Sequence, residues 1–123
     1  MTTISFLEQL EENPKSITFQ DTINVIEENY DFEPTAFKNG NLQNNSGENN
    51  GSCKIFSFAK LQNLSKEATL ACFGSYYFDD VLRNPDGNDH QNIRNFIQFG
   101  WDGIHFEGEA LLEKSKKYLI QKK

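Results

Sequence analysis

Ser52-Cys53-Lys54-Ile55-Phe56-Ser57-Phe58-Ala59-Lys60-Leu61-Gln62 is the stretch that decides the fold. Cys53 and Phe56 fall three apart, while Ile55, Phe58, Ala59 and Gln62 trace a second set of helical offsets, so a helix apolar on most of its face is predicted. Such a helix is stable only when surrounded, which makes it the central element, and Ser52 reads as its N-cap. Everything else must pack around it.

Working outward toward the N-terminus, residues 39–51 contain six Asn and three Gly, types that adopt left-handed backbone and bond their own main chain, so an irregular loop is expected. Asn39-Gly40 is a strong two-residue hairpin signal, and Asp31-Phe32-Glu33-Pro34 before it should be extended because Pro disfavours helix in its predecessor. Phe19, Ile23, Ile26 and Tyr30 mark an amphipathic helix with Asp21 and Thr22 as caps. Ile4, Leu7 and Leu10 mark another, in which Ser5 and Glu8 have capping-box spacing and Asn13-Pro14 stops the pattern.

Toward the C-terminus, Ser65 caps a helix of small residues that ends at Gly74, and Tyr76, Tyr77, Val81 and Leu82 extend into further helical turns. Asn84-Pro85-Asp86-Gly87 is a turn, after which Asp89 caps a helix carrying Ile93, Phe96, Ile97 and Phe99 to Gly100. Ile104-His105-Phe106 alternates as a strand able to pair with Phe37 to Leu42, with His105 half-buried beside Trp101. From Glu109 to Lys123, five Lys among Leu111, Leu112, Tyr118, Leu119 and Ile120 predict a terminal helix. The class is α+β and mainly helical: five or six short helices around a Phe-rich core with one small antiparallel sheet or hairpin.

Composition agrees. A chain of 123 residues fits one domain, 1–123, and eleven Phe, four Tyr and one Trp supply a ring-built core although the hydrophobic share is 37% and mean hydropathy is −0.67. A formal charge of −6 opposes nucleic acid and anionic membrane surfaces as partners. No apolar run is long enough to span a membrane and no secretory leader is read, which makes the cytoplasm the default location. Cys53 and Cys72 have neither disulfide-framework nor zinc-finger spacing and are expected as reduced thiols.

Two chemical readings compete with a purely structural one. Cys53, His90 and Asp89 are the types of a thiol hydrolase, with Asn49 or Asn92 able to orient the imidazole and a helix start able to lower the thiol pKa. A Cys on an aromatic helix is, however, most often a small core hydrophobe. The second reading gathers Asn49, Ser52, Lys54, His90, Asn92 and Arg94 into a pocket for a small polar or anionic ligand, with Tyr76 or Trp101 as an apolar wall. Structurally, the same segment 89–94 would satisfy the main chain of the Asn-rich loop, so the two are expected to touch. Asp86, Asp89, His90 and His105 lack calcium-loop spacing, and no metal is expected. Phosphate-loop, dinucleotide and nucleophile-elbow motifs are absent, so no cofactor is expected.

Four segments resemble the HopJ type III effector family: 29–40 with Asn-Tyr-Asp-Phe and Pro-Thr-Ala-Phe-Lys-Asn-Gly, Gly47 to Phe56, Phe73-Gly74-Ser75-Tyr76-Tyr77, and Asp89 to Phe96. The resemblance runs from about Phe6 to about Leu111, leaving a tail of its own, 112–123. One departure is Phe78, where the family more often carries Arg after the paired Tyr. The resemblance implies a small bacterial protein without an assigned activity, an interaction or ligand-binding module. The family's name carries type III secretion into host cells from the bacterial cytoplasm as its effector role, against which the apolar helix marked by Ile4, Leu7 and Leu10 stands where a loose Ser-rich export signal would be expected.

Overall fold

Phe56 and Phe58 are both wholly buried, and both belong to α3 (Asn50–Leu61). The computed structural model, which describes residues 1–114, places this helix between two aromatic clusters. Phe58 meets the edges of Phe6 at 5.9 Å and Tyr30 at 6.0 Å, whereas Phe56 meets Phe37, Phe73 and Phe96 at 6.1, 5.4 and 5.0 Å. Each such ring pair adds about 0.5–1.5 kcal/mol beyond its buried area, so α3 ties the two halves of the core together.

Local chemistry explains the helix boundaries, sometimes one residue away from where the sequence pattern puts them. Helix α1 (Thr3–Glu12) is capped by Thr2, not Ser5, and turns Phe6 and Leu10 inward while Ile4 remains 71% exposed. Helix α2 (Phe19–Asn29) begins with a reciprocal capping box between Thr18 and Asp21. Asp21 is therefore the third helical residue, not a cap. Thr22 is not a cap either: its buried hydroxyl donates to the Cys72 carbonyl at 2.8 Å, joining α2 to α4 (Lys66–Ala71), which Ser65 caps as expected. Gly74 has φ +61°, and a Cβ there would stand 2.7 Å from the Phe19 main-chain nitrogen, so glycine is required by both conformation and closeness. A π-helical segment, Tyr76–Val81, leads through the Asn84 to Gly87 turn to α5 (Gln91–Phe99), which Gly100 ends at φ +63°.

Two small antiparallel sheets complete the described chain. Strands β2 (Phe37–Asn39) and β3 (Leu42–Asn44) form a hairpin whose turn is Gly40-Asn41, one residue beyond the Asn39-Gly40 signal, and β4 (Ile104–Phe106) pairs the other side of β2 with Phe37 opposite Phe106. Part of the Asn-rich segment is thus ordered strand, because Leu42 to Asn44 finds a ready partner in β2. His105 alternates outward in β4 and is exposed instead of half-buried. Strand β1 (Tyr30–Phe32) pairs with β5 (Leu111–Glu113), Tyr30 opposite Glu113. Leu111 to Glu113 is therefore strand where a terminal helix was expected, and the remainder of that expected helix, 115–123, lies outside the described residues. Among the described residues, five α-helices and one π-helical segment around a Phe-rich core accompany small antiparallel pairing, the mainly helical α+β class that the sequence predicts, with two small sheets where one was expected.

Candidate functional site

The Asn-rich segment and the start of α5 meet through a buried web of amides. Asn92 Nδ2 donates to Asn44 Oδ1 at 2.9 Å and Asn44 Nδ2 returns a bond to Asn92 Oδ1 at 3.1 Å. Asn39 Nδ2 donates to the Asn92 carbonyl at 2.7 Å, and Asn49 Nδ2 donates to Asn44 Oδ1 at 2.7 Å. Asn95 reaches the Asn39 carbonyl at 2.8 Å. The expected contact exists, but Asn44 is its hub, and Asn49 and Asn92 communicate through that residue. Buried amides need partners for both oxygen and nitrogen, and this arrangement supplies nearly all of them, leaving Asn39 Oδ1 unmatched.

The web fixes the starts of two helices. Asn49 and His90 are the N-caps of α3 and α5, each with left-handed backbone at φ 52° and 48°, and neither cap side chain bonds the first turn. Ser52 and Asp89, the expected caps, are displaced from those roles. Left-handed non-glycine residues are sparsely populated and cost about 1–3 kcal/mol each, which the amide web and the packing behind it must offset.

Both starts open on one cleft of about 520 Å³ lined by Asn49, Gly51, Ser52, His90, Gln91 and Asn92, with Phe19, Phe73 and Tyr76 among its apolar walls. The Tyr76 ring lies 5.0 Å from Phe19 and 5.1 Å from the His90 imidazole. His90 Nε2 is 3.0 Å from Asp80 Oδ2, so a carboxylate from the π-helical segment orients the ring. Asp80 carried no signal in the sequence, since nothing marks which carboxylate a helix-start imidazole will find.

Four of the six expected ligand residues, Asn49, Ser52, His90 and Asn92, therefore share a cleft, with Tyr76 as the wall. The two cations are elsewhere. Lys54 pairs with Glu27 at 3.3 Å and sits over the Phe32 ring, while Arg94 binds Asp89 Oδ1 at 2.5 Å and the Asn84 carbonyl at 2.8 Å. Arg94 thereby staples the 84–89 turn to α5, and its guanidinium holds the Asp89 carboxyl below the usual range. Trp101 donates to the Leu64 carbonyl at 3.0 Å and packs on Phe96, away from the cleft.

Cys53 is 1% exposed, its thiol facing the Thr35 carbonyl at 3.7 Å, and burial pushes its pKa up. His90 and Asp89 make no hydrogen bond to it. A thiol held neutral and sealed under rings lacks the ionisation and access that a nucleophile needs. Among the described residues, no group of three or more His, Cys, Asp or Glu is placed to hold a metal ion.

Residues 3–111 match the family described as HopJ type III effector protein. The chain belongs to this family. The HopJ match takes in every wall of the cleft. A solved structure described as "Crystal structure of unknown function protein VPA0580" is 59% identical to this HopJ chain, with a TM-score of 0.91 over 93% of this chain and 95% of that one. No curated protein matches. Phe78, the departure from the family pattern, rests in the π-helical segment with its ring 5.0 Å from Tyr77.

Proposed function

We propose that this HopJ-family protein is a single-domain binding module that takes a small polar or anionic molecule in the cleft between the starts of α3 and α5. The observation carrying the proposal is the convergence of two helix starts, each without a side-chain cap, on one aromatic-walled cleft. First-turn N–H groups carry positive partial charge and have no intrahelical acceptors, so an anion or a carbonyl oxygen is the complementary guest. Ser52 adds a side-chain donor at the rim, and Tyr76 offers a flat surface to an attached ring. With Lys54 and Arg94 engaged elsewhere, the charge of the guest is met by main-chain dipoles instead of by formal cations.

Amide chemical shifts during titration with inorganic phosphate and with phenyl phosphate test this reading. Saturable shifts at Gly51, Ser52, Gln91 and Asn92 are expected, stronger with phenyl phosphate, absent in Ser52→Asp and reduced to the inorganic level in Tyr76→Ala. No response at those amides to either anion sinks the proposal. The family's description supports one placement besides: delivery to host cells by type III secretion. Translocation of a reporter fusion from a secretion-competent strain, compared with a secretion-deficient one, decides that role. Among the described residues, no helix is long and apolar enough to cross a membrane.

A further inference from the structure

A second depression, of about 450 Å³, lies on other elements, between the C-terminal half of α3 and residues 108–113. Its edge is strand β5. The Glu33 N–H donates to the Ala110 carbonyl at 2.8 Å, and Asp31 stands opposite Leu112. Alternation in an antiparallel pair then turns the main chain of Ala110 and Leu112 toward β1 and that of Leu111 and Glu113 away from it. Among the described residues β5 has β1 as its sole strand neighbour, and no hydrogen bond reaches the outward main chain of Leu111 or Glu113.

The side chains along the groove are equally unspent. Leu61 and Leu112 are 57% and 42% exposed. The Ser57 hydroxyl is buried on the α3 wall without a nitrogen or oxygen partner, meeting just the Cys53 thiol one turn earlier. Glu109 and Glu113 have no cation within pairing distance among the described residues, whereas Lys60 rests 5.9 Å from the Phe106 ring.

We propose that this groove docks an extended peptide segment of a partner protein, which adds as a third strand to β5 and alternates aliphatic residues with Lys or Arg. An open strand edge asks for a run of main-chain N–H and C=O groups, which an extended peptide supplies in register. Leu61 and Leu112 ask for aliphatic side chains, and Glu109 and Glu113, unpaired among the described residues, against one engaged ammonium select cations.

The full chain is titrated with the end-capped peptide Lys-Val-Lys-Leu-Lys, its Glu-Val-Glu-Leu-Glu counterpart and a main-chain N-methylated form of the basic peptide, with amide hydrogen exchange as a second readout. The basic peptide is expected to bind saturably and slow exchange at Leu111 and Glu113, while the other two bind at least about tenfold more weakly. Leu61→Asn and Leu112→Asn, which remove the aliphatic contact without adding charge and are read beside the thermal transition of each variant, are each expected to weaken binding by about tenfold. Equal binding of the acidic peptide, binding without protection at those two amides, or no saturable binding overturns the proposal. So does basic-peptide binding that emerges only when Tyr118, Leu119 and Ile120 are changed to Asp, or a concentration-dependent dimer that competes with the peptide, since either assigns the groove to this chain's own residues.

Discussion

Cys72 shows how far one buried atom's surroundings set its chemistry. The residue is fully buried, its carbonyl held by Thr22, and burial pushes the thiol pKa up to about 12. In the unfolded chain the same thiol ionises near 9.0, so between these values the folded state keeps a proton that the unfolded state releases. Stability from this group is therefore full below pH 9 and is lost as pH rises toward about 12, by an amount on the order of 4 kcal/mol in total. Urea midpoints of wild type and Cys72→Ala, compared at pH 7 and pH 10.5, check this. The two proteins should draw closer at the higher pH, and a gap that stays constant would mean that the thiol is not shielded. The His90 case is different in kind: its type was visible from the sequence, but its partner Asp80 comes from a neighbouring element, and only packing could select Asp80 over the adjacent Asp89.

Among elements, the β2–β3 hairpin was legible to within one residue: Asn39-Gly40 marked it, but Asn39 pairs with Leu42 and the turn is Gly40-Asn41, with glycine in the left-handed position. Gly40 has φ +62°, and a Cβ would fall 2.1 Å from Cδ2 of Phe99, whereas Gly47 at φ +89° has nothing within 4 Å. Gly40→Ala should thus cost both strain and a ring displacement, about 2 kcal/mol or more, and Gly47→Ala strain alone, about 1 kcal/mol. Chemical denaturation of both variants measures the difference, and equal losses would remove the Phe99 contact from the account. Helices α3 and α4 were legible from their apolar offsets and the Ser65 cap. The starts of α3 and α5 were not: Asn49 is as good a cap type as Ser52, so type could not choose between them, and Asp89 is a better one than His90; tertiary bonding to Asn44 and Asp80 decided both. Strand β5 was hidden for a related reason. Three residues ahead of a lysine-rich stretch carry no period of their own, and their strand character comes from β1.

At the scale of the whole molecule, the amide web joins the small sheet to the helical core. Asn44 belongs to β3 and Asn92 to α5, so their reciprocal pair couples segments 48 residues apart in the chain. A double-mutant cycle on Asn44→Ala and Asn92→Ala should return an interaction energy of about 0.5–3 kcal/mol, larger than that between Asn49 and Asn92, which meet through Asn44. Additive losses in the first cycle would show that each amide is satisfied separately. The same web bears on chemical ageing. Asn-Gly dipeptides deamidate when the glycine nitrogen attacks the side-chain amide, closing a succinimide and expelling ammonia. At Asn39-Gly40 the side chain is pinned to Asn92 and the Gly40 N–H is spent on the Gly103 carbonyl at 2.8 Å, so neither reacting atom is free to approach the other. Asn50-Gly51 has an exposed side chain and a first-turn N–H without an acceptor. The folded protein is therefore expected to age first at Asn50, adding a negative charge at the start of α3 beside the cleft, while Asn39 ages only in molecules that have unfolded.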